Sequence, residues 1–377
     1  MKVVIVNCFD TYEDRIDLLH DFFSDKGNDV TVVQSDFRHF KKVKRTESKE
    51  DFIFVESKPY YKNMSVARMT SHYDFAKRAF QVVEDLQPDL LYVMVPPNSL
   101  TKFAAQYKRK HNNVKLIFDL IDLWPETMPI GKVEALPPFY FWGEMRNSAL
   151  KYADCVITEC DLYQEVLKKH LEGIKAETVY LAKREINIVS NPVLNKDEIH
   201  LCYLGSINNI IDVSKIKKII GEINKIKPVT FHIIGDGESK DILINEVKST
   251  GAIIEYHGKV YDFQEKQDIF DKCYLGLNIM KDTVCVGLTM KSIDYFQGGL
   301  PIINSIQSDT ANLVDKFNIG INVINENIED ISTKVVSFDI EKLLAMRENT
   351  KNVFDSLFSV DAFNEKFGTI LINLIRD

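Results

Sequence analysis

The sequence predicts an α/β protein made of two successive domains, each a doubly wound parallel sheet covered by helices. Three observations carry that expectation. The chain has 377 residues, too many for one ordinary core. Short β-branched runs alternate with longer amphipathic stretches, and the runs are apolar almost throughout, as strands buried on both faces must be. The alternation also restarts in mid-chain, after "SNPV".

The first half opens with the strand "KVVIVN" (2–7), a helical segment around Ile16–Phe23, the breaker Gly27 and the strand "DVTVVQ" (29–34). A helix from about Tyr73 to Leu86 leads through Gln87-Pro88 into the strand "LLYVMV" (90–95). "TKFAAQYKRK" reads as a helix, "VKLIFDL" as a strand, and "ADCVITEC" (153–160) as another strand after an aromatic segment. "ETVYLA" or "INIVSNP" closes the half, punctuated by Asn191-Pro192.

In the second half "EIHLCYLGS" (198–206), "VTFHIIGDG" (229–237), "AIIEYHG", "LGLNIM", "LPIINS" and "IGINVI" (319–324) read as strands. The helices "SKIKKIIGEINKI", "DILINEVKST" and "QEKQDIFDKC" alternate with them. "SVDAFNEKFGTILINLI" begins with a Ser-x-Asp cap and predicts a terminal helix. The expected domains are residues 1–193 with 360–377, and residues 194–359.

Composition narrows the function. A formal charge of −8 argues against a general nucleic-acid binder, and no apolar run approaches the length of a bilayer span. "MKVVIVNCFD" carries no signal-peptide pattern, and the six cysteines are scattered without a CxxC pair or a histidine at zinc-ligand spacing. The expectation is a cytoplasmic protein with no disulfide, no metal and no cofactor. "RHFKKVKR" (38–45) holds five Lys/Arg in eight positions. A solvated loop explains it more simply than a patch for anionic lipid or phosphate.

Ligands of doubly wound sheets bind beyond the carboxyl ends of the strands, so the chemistry is sought in the loops there. "YLGS" (203–206) places Gly205 and Ser206 between a strand and a helix, and "IIGDGES" (233–239) places Gly235, Asp236 and Gly237 at the next strand end. Backbone amides in such turns can approach an anion closely. Each loop alone is weak, because strand–Gly–helix turns are common for packing reasons. The third loop, "VGLTMKSIDYFQGGLPII" (286–303), is richer. Gly287, Leu288, Thr289 and Ser292 offer amides and hydroxyls, Lys291 a cation and Asp294 a carboxylate, all at a helix start. Capping accounts for Ser292 or Asp294 but not for a lysine at the positive end of a helix, unless an anion visits.

Taken together, "YLGS", "HIIGDGES", "EYHGKV", "LGLNIM" and above all "GLTMKSIDYFQGGLPII" resemble the GT-B glycosyltransferases. The nearest group is the retaining, sugar-nucleotide-dependent one called family 4. In the first half "DLIDLWPET" (119–127) is similar to the D-x-W-P-E element of bacterial members that build surface polysaccharides. The resemblance covers both halves in order. It implies two Rossmann-like domains facing across a cleft, an acceptor domain first and a donor domain second, with the last helix crossing back to the first.

It also implies that Lys291 meets the donor diphosphate and Asp294 the ribose, and that Gly205, Ser206, Gly235, Asp236, Gly237, Gly287, Leu288, Thr289 and Ser292 line the donor pocket. Asp122 and Glu126 would serve the acceptor, with Lys291, as catalytic residues. The partners implied are a nucleotide-sugar donor and a glycan or lipid-linked acceptor, met in the cytoplasm or at the inner membrane face. "LPPFYFWGEMRNSAL" (136–150) is either a buried packing hairpin or an amphipathic surface for such an acceptor.

Several positions depart from the family. Val286 stands where the first of the usual carboxylates falls, Asp294 replaces a glutamate, and Ser206 stands where an arginine is common. "NCFDTYEDR" replaces the first glycine-rich loop. A sugar-nucleotide 2-epimerase and a non-catalytic GT-B partner subunit are the alternatives.

Overall fold

A computed structural model describes residues 1–63, 65–128, 137–323 and 327–376. Leu136, Ile324 and Asp377, which end or begin three of the segments above, lie outside the described residues. The chain divides into two compact units, residues 1–183 with 363–377, and residues 184–362.

The first unit contains β1 (Lys2–Asn7), α1 (Glu13–Asp25), β2 (Asp29–Ser35), the short β3 (Phe37–Arg38) and β4 (Val43–Lys44), and β5 (Phe52–Val55). Then follow α2 (Val66–Leu86), β6 (Leu90–Val95), α3 (Ser99–Lys110), β7 (Lys115–Leu120), α4 (Pro137–Leu150), β8 (Cys155–Thr158), α5 (Asp161–Val166) and β9 (Ala176–Thr178). The sheet order is β5-β2-β1-β6-β7-β8-β9, parallel at every pairing. Strand order therefore reverses between β1 and β6.

The second unit repeats the plan with β10 (Ile199–Leu204), α6 (Val213–Ile226), β11 (Val229–Ile234), α7 (Lys240–Lys248), β12 (Ile253–Gly258), α8 (Phe263–Phe270) and β13 (Leu275–Asn278). It continues with α9 (Met290–Gln297), β14 (Ile302–Asn304), α10 (Asp309–Phe317), β15 (Gly320–Asn322), α11 (Ile328–Val336) and α12 (Ile340–Leu357). Its parallel sheet runs β12-β11-β10-β13-β14-β15, so the switch point lies between β10 and β13. Helix α6 shows why such segments fold as they do. Ile216, Ile219, Ile220 and Ile223 recur at helical spacing, and all four are buried against the β10–β11 face.

The terminal helix α13 (Val360–Arg376) packs on the first unit, as the resemblance implies. Phe367 meets Phe22, Phe23 and Tyr92 edge to face, and Phe363 stacks on it. The unit boundary falls at 183/184, ten residues before the point where the strand pattern restarts. The cause is Asp271, which is buried on Arg347 at 2.9 Å and also accepts from Ser190 Oγ at 2.8 Å and from the Asn191 amide. Those bonds hold the polar segment before β10 to the second unit. "INIVSNP" accordingly forms no strand, and of "ETVYLA" only Glu177 and Thr178 do, at the end of β9.

Two ambiguous segments resolve in the structure. Residues 137–150 form a helix rather than a hairpin, packed through Gly143, Arg146, Ala149 and Leu150, with Tyr140 and Phe141 exposed. The basic run 38–45 spans β3 and β4. Its charges are mostly neutralised: Arg38 pairs with Glu47, Arg45 with Glu13, and Lys44 with Asp36 and Glu56. The solvated-face explanation fits.

Candidate functional site

At the switch point of the second unit, helix α9 starts beside the ends of β10 and β13. Thr289 caps it, accepting from the Ser292 amide at 3.1 Å. One turn further on, Tyr295 reaches between the two strands. Its hydroxyl accepts from the Leu204 amide at 2.8 Å and lies 3.2 Å from the Cys202 carbonyl and 3.3 Å from that of Leu277. The ring fits because residue 276 is glycine; a Cβ there would sit 2.6 Å from it. Tyr295 thereby fixes the helix face that also carries Lys291, four residues earlier.

The Lys291 ammonium lies 4.2 Å from the Tyr203 ring centroid. Among the described residues no carboxylate forms an ion pair with it. Burial pushes its pKa down to about 7. The side chain also leans over the turn after β10: its Cε would be 3.6 Å from a Cβ at Gly205. A cation at a helix start, half-buried, without an anion, and above a glycine turn at a topological switch point is an arrangement that can receive an anionic group.

The other residues that the resemblance assigns to the donor pocket have different local surroundings. Gly205 and the exposed Ser206 form the turn beneath Lys291. Gly235 and Gly237 serve packing between loops, since a Cβ on Gly235 would lie 1.9 Å from the Gly205 carbonyl oxygen and one on Gly237 2.3 Å from that of Ile207. They bring the second loop against the first. Asp236 is exposed and accepts from the Gly237 amide at 2.9 Å, with Lys240 at 3.8 Å. Gly287 and Leu288 are buried, and the Gly287 carbonyl accepts from Thr310 Oγ1 at 2.7 Å. Ser292 is fully buried and turned inward, where it accepts from Asn278 Nδ2 at 3.0 Å. Asp294 lies on the second turn of α9, not the first, with Lys266 at 3.3 Å. Gly298 allows close packing against Phe270 of α8, where a Cβ would be 2.5 Å from the ring.

An asparagine ladder absent from the sequence expectations lies beneath this site. Asn278, Asn304 and Asn322 end three neighbouring strands in register, and their side chains join at 2.9 and 2.8 Å. A polar residue closing an apolar strand, as in "LGLNIM", is the signal that could have found it. The ladder holds Ser292 and Thr289, and with them the start of α9. Tyr203, within "YLGS", was likewise unassigned.

In the first unit the acidic loop is self-contained. Asp122 accepts from the Leu123 amide at 2.9 Å, from Trp124 Nε1 at 2.6 Å and from Thr127 Oγ1. Burial raises its pKa, and the bonds from Thr127 and Trp124 oppose the rise. Glu126 lies against the fully buried Arg146 guanidinium at 2.6 and 3.0 Å. Both carboxylates thus fix the backbone between β7 and α4. Asp122→Ala is expected to lower stability by about 1–3 kcal/mol, through the indole and hydroxyl left unpaired. Urea unfolding checks it; unchanged stability with reduced activity would instead give Asp122 a role toward substrate.

Arg68 lies beside that loop, stacked 4.4 Å from the Trp124 ring centroid. It is buried, its Nε has no partner, and among the described residues it pairs with no carboxylate. Next to it, Met69, His72, Tyr73, Pro97, Trp142 and Met145 line a cavity of about 310 Å³.

No protein-family model matches the sequence, and no curated protein matches it. Solved structures do. The chain is similar to sucrose-phosphate synthase from Thermosynechococcus elongatus, with a TM-score of 0.73 at 12% identity over 100% of this chain and 99% of that one. It is similar to Anabaena HepE in complex with UDP, with a TM-score of 0.71 at 13% identity over 99% and 100%. It is also similar to the lipopolysaccharide outer core galactosyltransferase WaaB, with a TM-score of 0.69 at 13% identity over 99% of each chain. The fold is GT-B. In a GT-B chain the turn after β10 and the start of α9 are strand-end elements at the switch point of the second Rossmann-like unit, where Lys291 lies.

Proposed function

We propose that this chain is a glycosyltransferase that moves a sugar from a nucleoside-diphosphate donor, a UDP-sugar in the first instance, to an acceptor hydroxyl. The unpaired Lys291 ammonium over the Gly205 turn carries the reading, because a diphosphate is the anion such a site suits. Lys291 would hold the leaving diphosphate with the amide of Ser206, since that of Gly205 already donates to the Ile234 carbonyl at 2.8 Å, and neutralise the charge that grows on it as the glycosidic bond breaks. Asp294 would take the ribose hydroxyls. The second unit is thus the donor domain and the first the acceptor domain. Retention follows from the resemblance, with the acceptor hydroxyl attacking from the face the diphosphate leaves.

The proposed acceptor is a surface-glycan or lipid-linked intermediate. Arg68, a buried cation without a carboxylate, suits a phosphate-bearing acceptor, and the aromatic cavity beside it suits a sugar ring or a prenyl-type chain. The exposed Tyr140 and Phe141, 60% and 67% accessible, support peripheral contact with a membrane. No helix among the described residues is long and apolar enough to cross one.

Val286, where the family has a carboxylate, favours a second reading, a GT-B subunit that binds donor without turning it over. One experiment separates the readings. The purified chain is incubated with UDP-, GDP-, dTDP- and CMP-sugars, with and without lipid-phosphate and oligosaccharide acceptors, and the products are weighed by mass spectrometry. Acceptor-dependent nucleotide release with a glycosylated product supports the transferase. A donor epimerised without acceptor would replace it by the 2-epimerase, and binding without turnover by the subunit.

A further inference from the structure

Three histidines of the second unit lie side by side across β10, β11 and β12. His200 Nδ1 is 2.8 Å from His232 Nε2, and His232 Nδ1 is 3.0 Å from His257 Nε2. Glu255 joins the far end: its Oε2 lies 3.2 Å from His232 Nδ1 and 3.9 Å from His257 Nε2. His232 is fully buried, His257 half-buried and Glu255 exposed. Thus two imidazole nitrogens and a carboxylate oxygen converge on one point at the sheet edge, apart from the proposed donor turn.

Hydrogen bonding alone satisfies this arrangement in only one tautomer of His232, the one protonated at Nδ1. An ionised carboxylate only accepts, and a neutral imidazole carries a single N–H. If His232 donates through Nε2 to His200, its Nδ1 is a bare lone pair facing Glu255, and the His257 N–H alone must satisfy both. A cation at the point of convergence satisfies all three. The spacing suits it: ligand bonds of about 2.0–2.2 Å in a tetrahedron place ligand atoms roughly 3.3–3.6 Å apart, and the three separations, 3.0, 3.2 and 3.9 Å, bracket that range.

Two further features serve such a site. The register of β11 and β12 slips between Ile233 and Ile234, so that Ile233 faces Tyr256 and Ile234 faces Gly258, leaving His257 as the extra residue of a bulge. Bulges of this kind re-aim a side chain. Behind His232 stands the chain that orients a metal-bound imidazole, His200 and then Glu198, whose Oε2 lies 3.6 Å from His200 Nε2. Lys272 opposes a cation here, while Glu255 and Glu265 favour one.

We propose that His232 Nδ1, His257 Nε2 and Glu255 bind one borderline divalent transition-metal ion, of the Zn²⁺ or Co²⁺ kind, with water in the fourth position. The ion would clamp the edge strand β12 to β11. This inference does not depend on the transferase reading.

The full-length chain, stripped with chelator, is titrated with Co²⁺ followed by its visible spectrum, and with Zn²⁺ followed by calorimetry and melting temperature. The expected result is one ion per chain, a tetrahedral-type Co²⁺ spectrum, and a melting temperature raised by Zn²⁺. His257→Ala and Glu255→Gln, at positions with solvent access, should keep the fold and lose all three signals. His200→Asn should weaken binding by about 10–100-fold through its support of His232, and His111→Ala should change nothing. No stoichiometric binding by the wild type, or equal binding by His257→Ala and wild type, overturns the proposal.

Discussion

Lys291→Ala lowers donor affinity by about 10–100-fold while the protein stays folded. The first number follows from a hydrogen bond between charged partners, worth about 1.5–3 kcal/mol, at about 1.4 kcal/mol per tenfold change. Folding survives because the side chain is half-buried and among the described residues pairs with no carboxylate; its one recorded partner is the Tyr203 ring. Calorimetric titration with UDP compares variant and wild type. Equal affinities would remove the diphosphate from Lys291.

The same residue gives that site a pH dependence with a definite sign. Before the donor binds, burial holds the Lys291 pKa at about 7. Affinity for a diphosphate therefore declines as pH rises through about 7, and binding above that pH takes up a proton. An unfolded lysine titrates near pH 10.4, so between about 7 and 10.4 the unfolded chain holds the extra proton. This group's penalty on folding is complete below about pH 7 and is relieved as pH rises through that window. UDP titrations at pH 6.5 and 8.5, each in two buffers of different ionisation enthalpy, report the proton directly.

Asp119→Ala is the more damaging change to the fold. Asp119, the last residue but one of β7, is fully buried, accepting from Arg15 Nε at 2.7 Å, from Arg15 Nη2 at 3.0 Å and from Tyr92 Oη at 2.6 Å. Arg15 reaches on to the carbonyls of Val179 and Tyr180, joining α1, β7 and the end of the unit's last strand. Removing one partner strands a buried guanidinium, at a cost of about 3–5 kcal/mol. Urea unfolding checks it, and a loss under about 1 kcal/mol would contradict the pairing. The sequence places Asp119 with Asp122 and Glu126 in one acidic loop, yet the three do different things. Strand alternation turns Asp119 inward, Asp122 stays on its own turn, and Glu126 meets an arginine twenty residues on.

The alternation of strands and helices is legible because both halves are strongly apolar and periodic. Less so is whatever depends on register. Asn278, Asn304 and Asn322 are far apart in sequence and adjacent only because parallel pairing aligns the last residue of each strand. His232, Glu255 and His257 fit no spacing rule for the same reason, since pairing and a bulge set their distances. Helix α12 was missed, though it is eighteen residues long. Its buried face carries Leu343, Met346, Val353 and Phe354 at helical spacing, but Arg347 and Thr350 interrupt that stripe, and Arg347 is inside because Asp271 is there to meet it. Lys291 makes the start of α9 stand out in the sequence, but Ser292 is told from a ligand-facing hydroxyl only by Asn278 beneath it.

The central claim is that the turn after β10 and the start of α9 hold a nucleoside diphosphate. A crystal structure of the chain grown with UDP tests it most directly. The expected complex has the β-phosphate within hydrogen-bonding distance of Lys291 Nζ, with the Ser206 amide on the diphosphate and Asp294 on the ribose. UDP bound elsewhere in the second unit, with Lys291 still stacked alone on Tyr203, would contradict it.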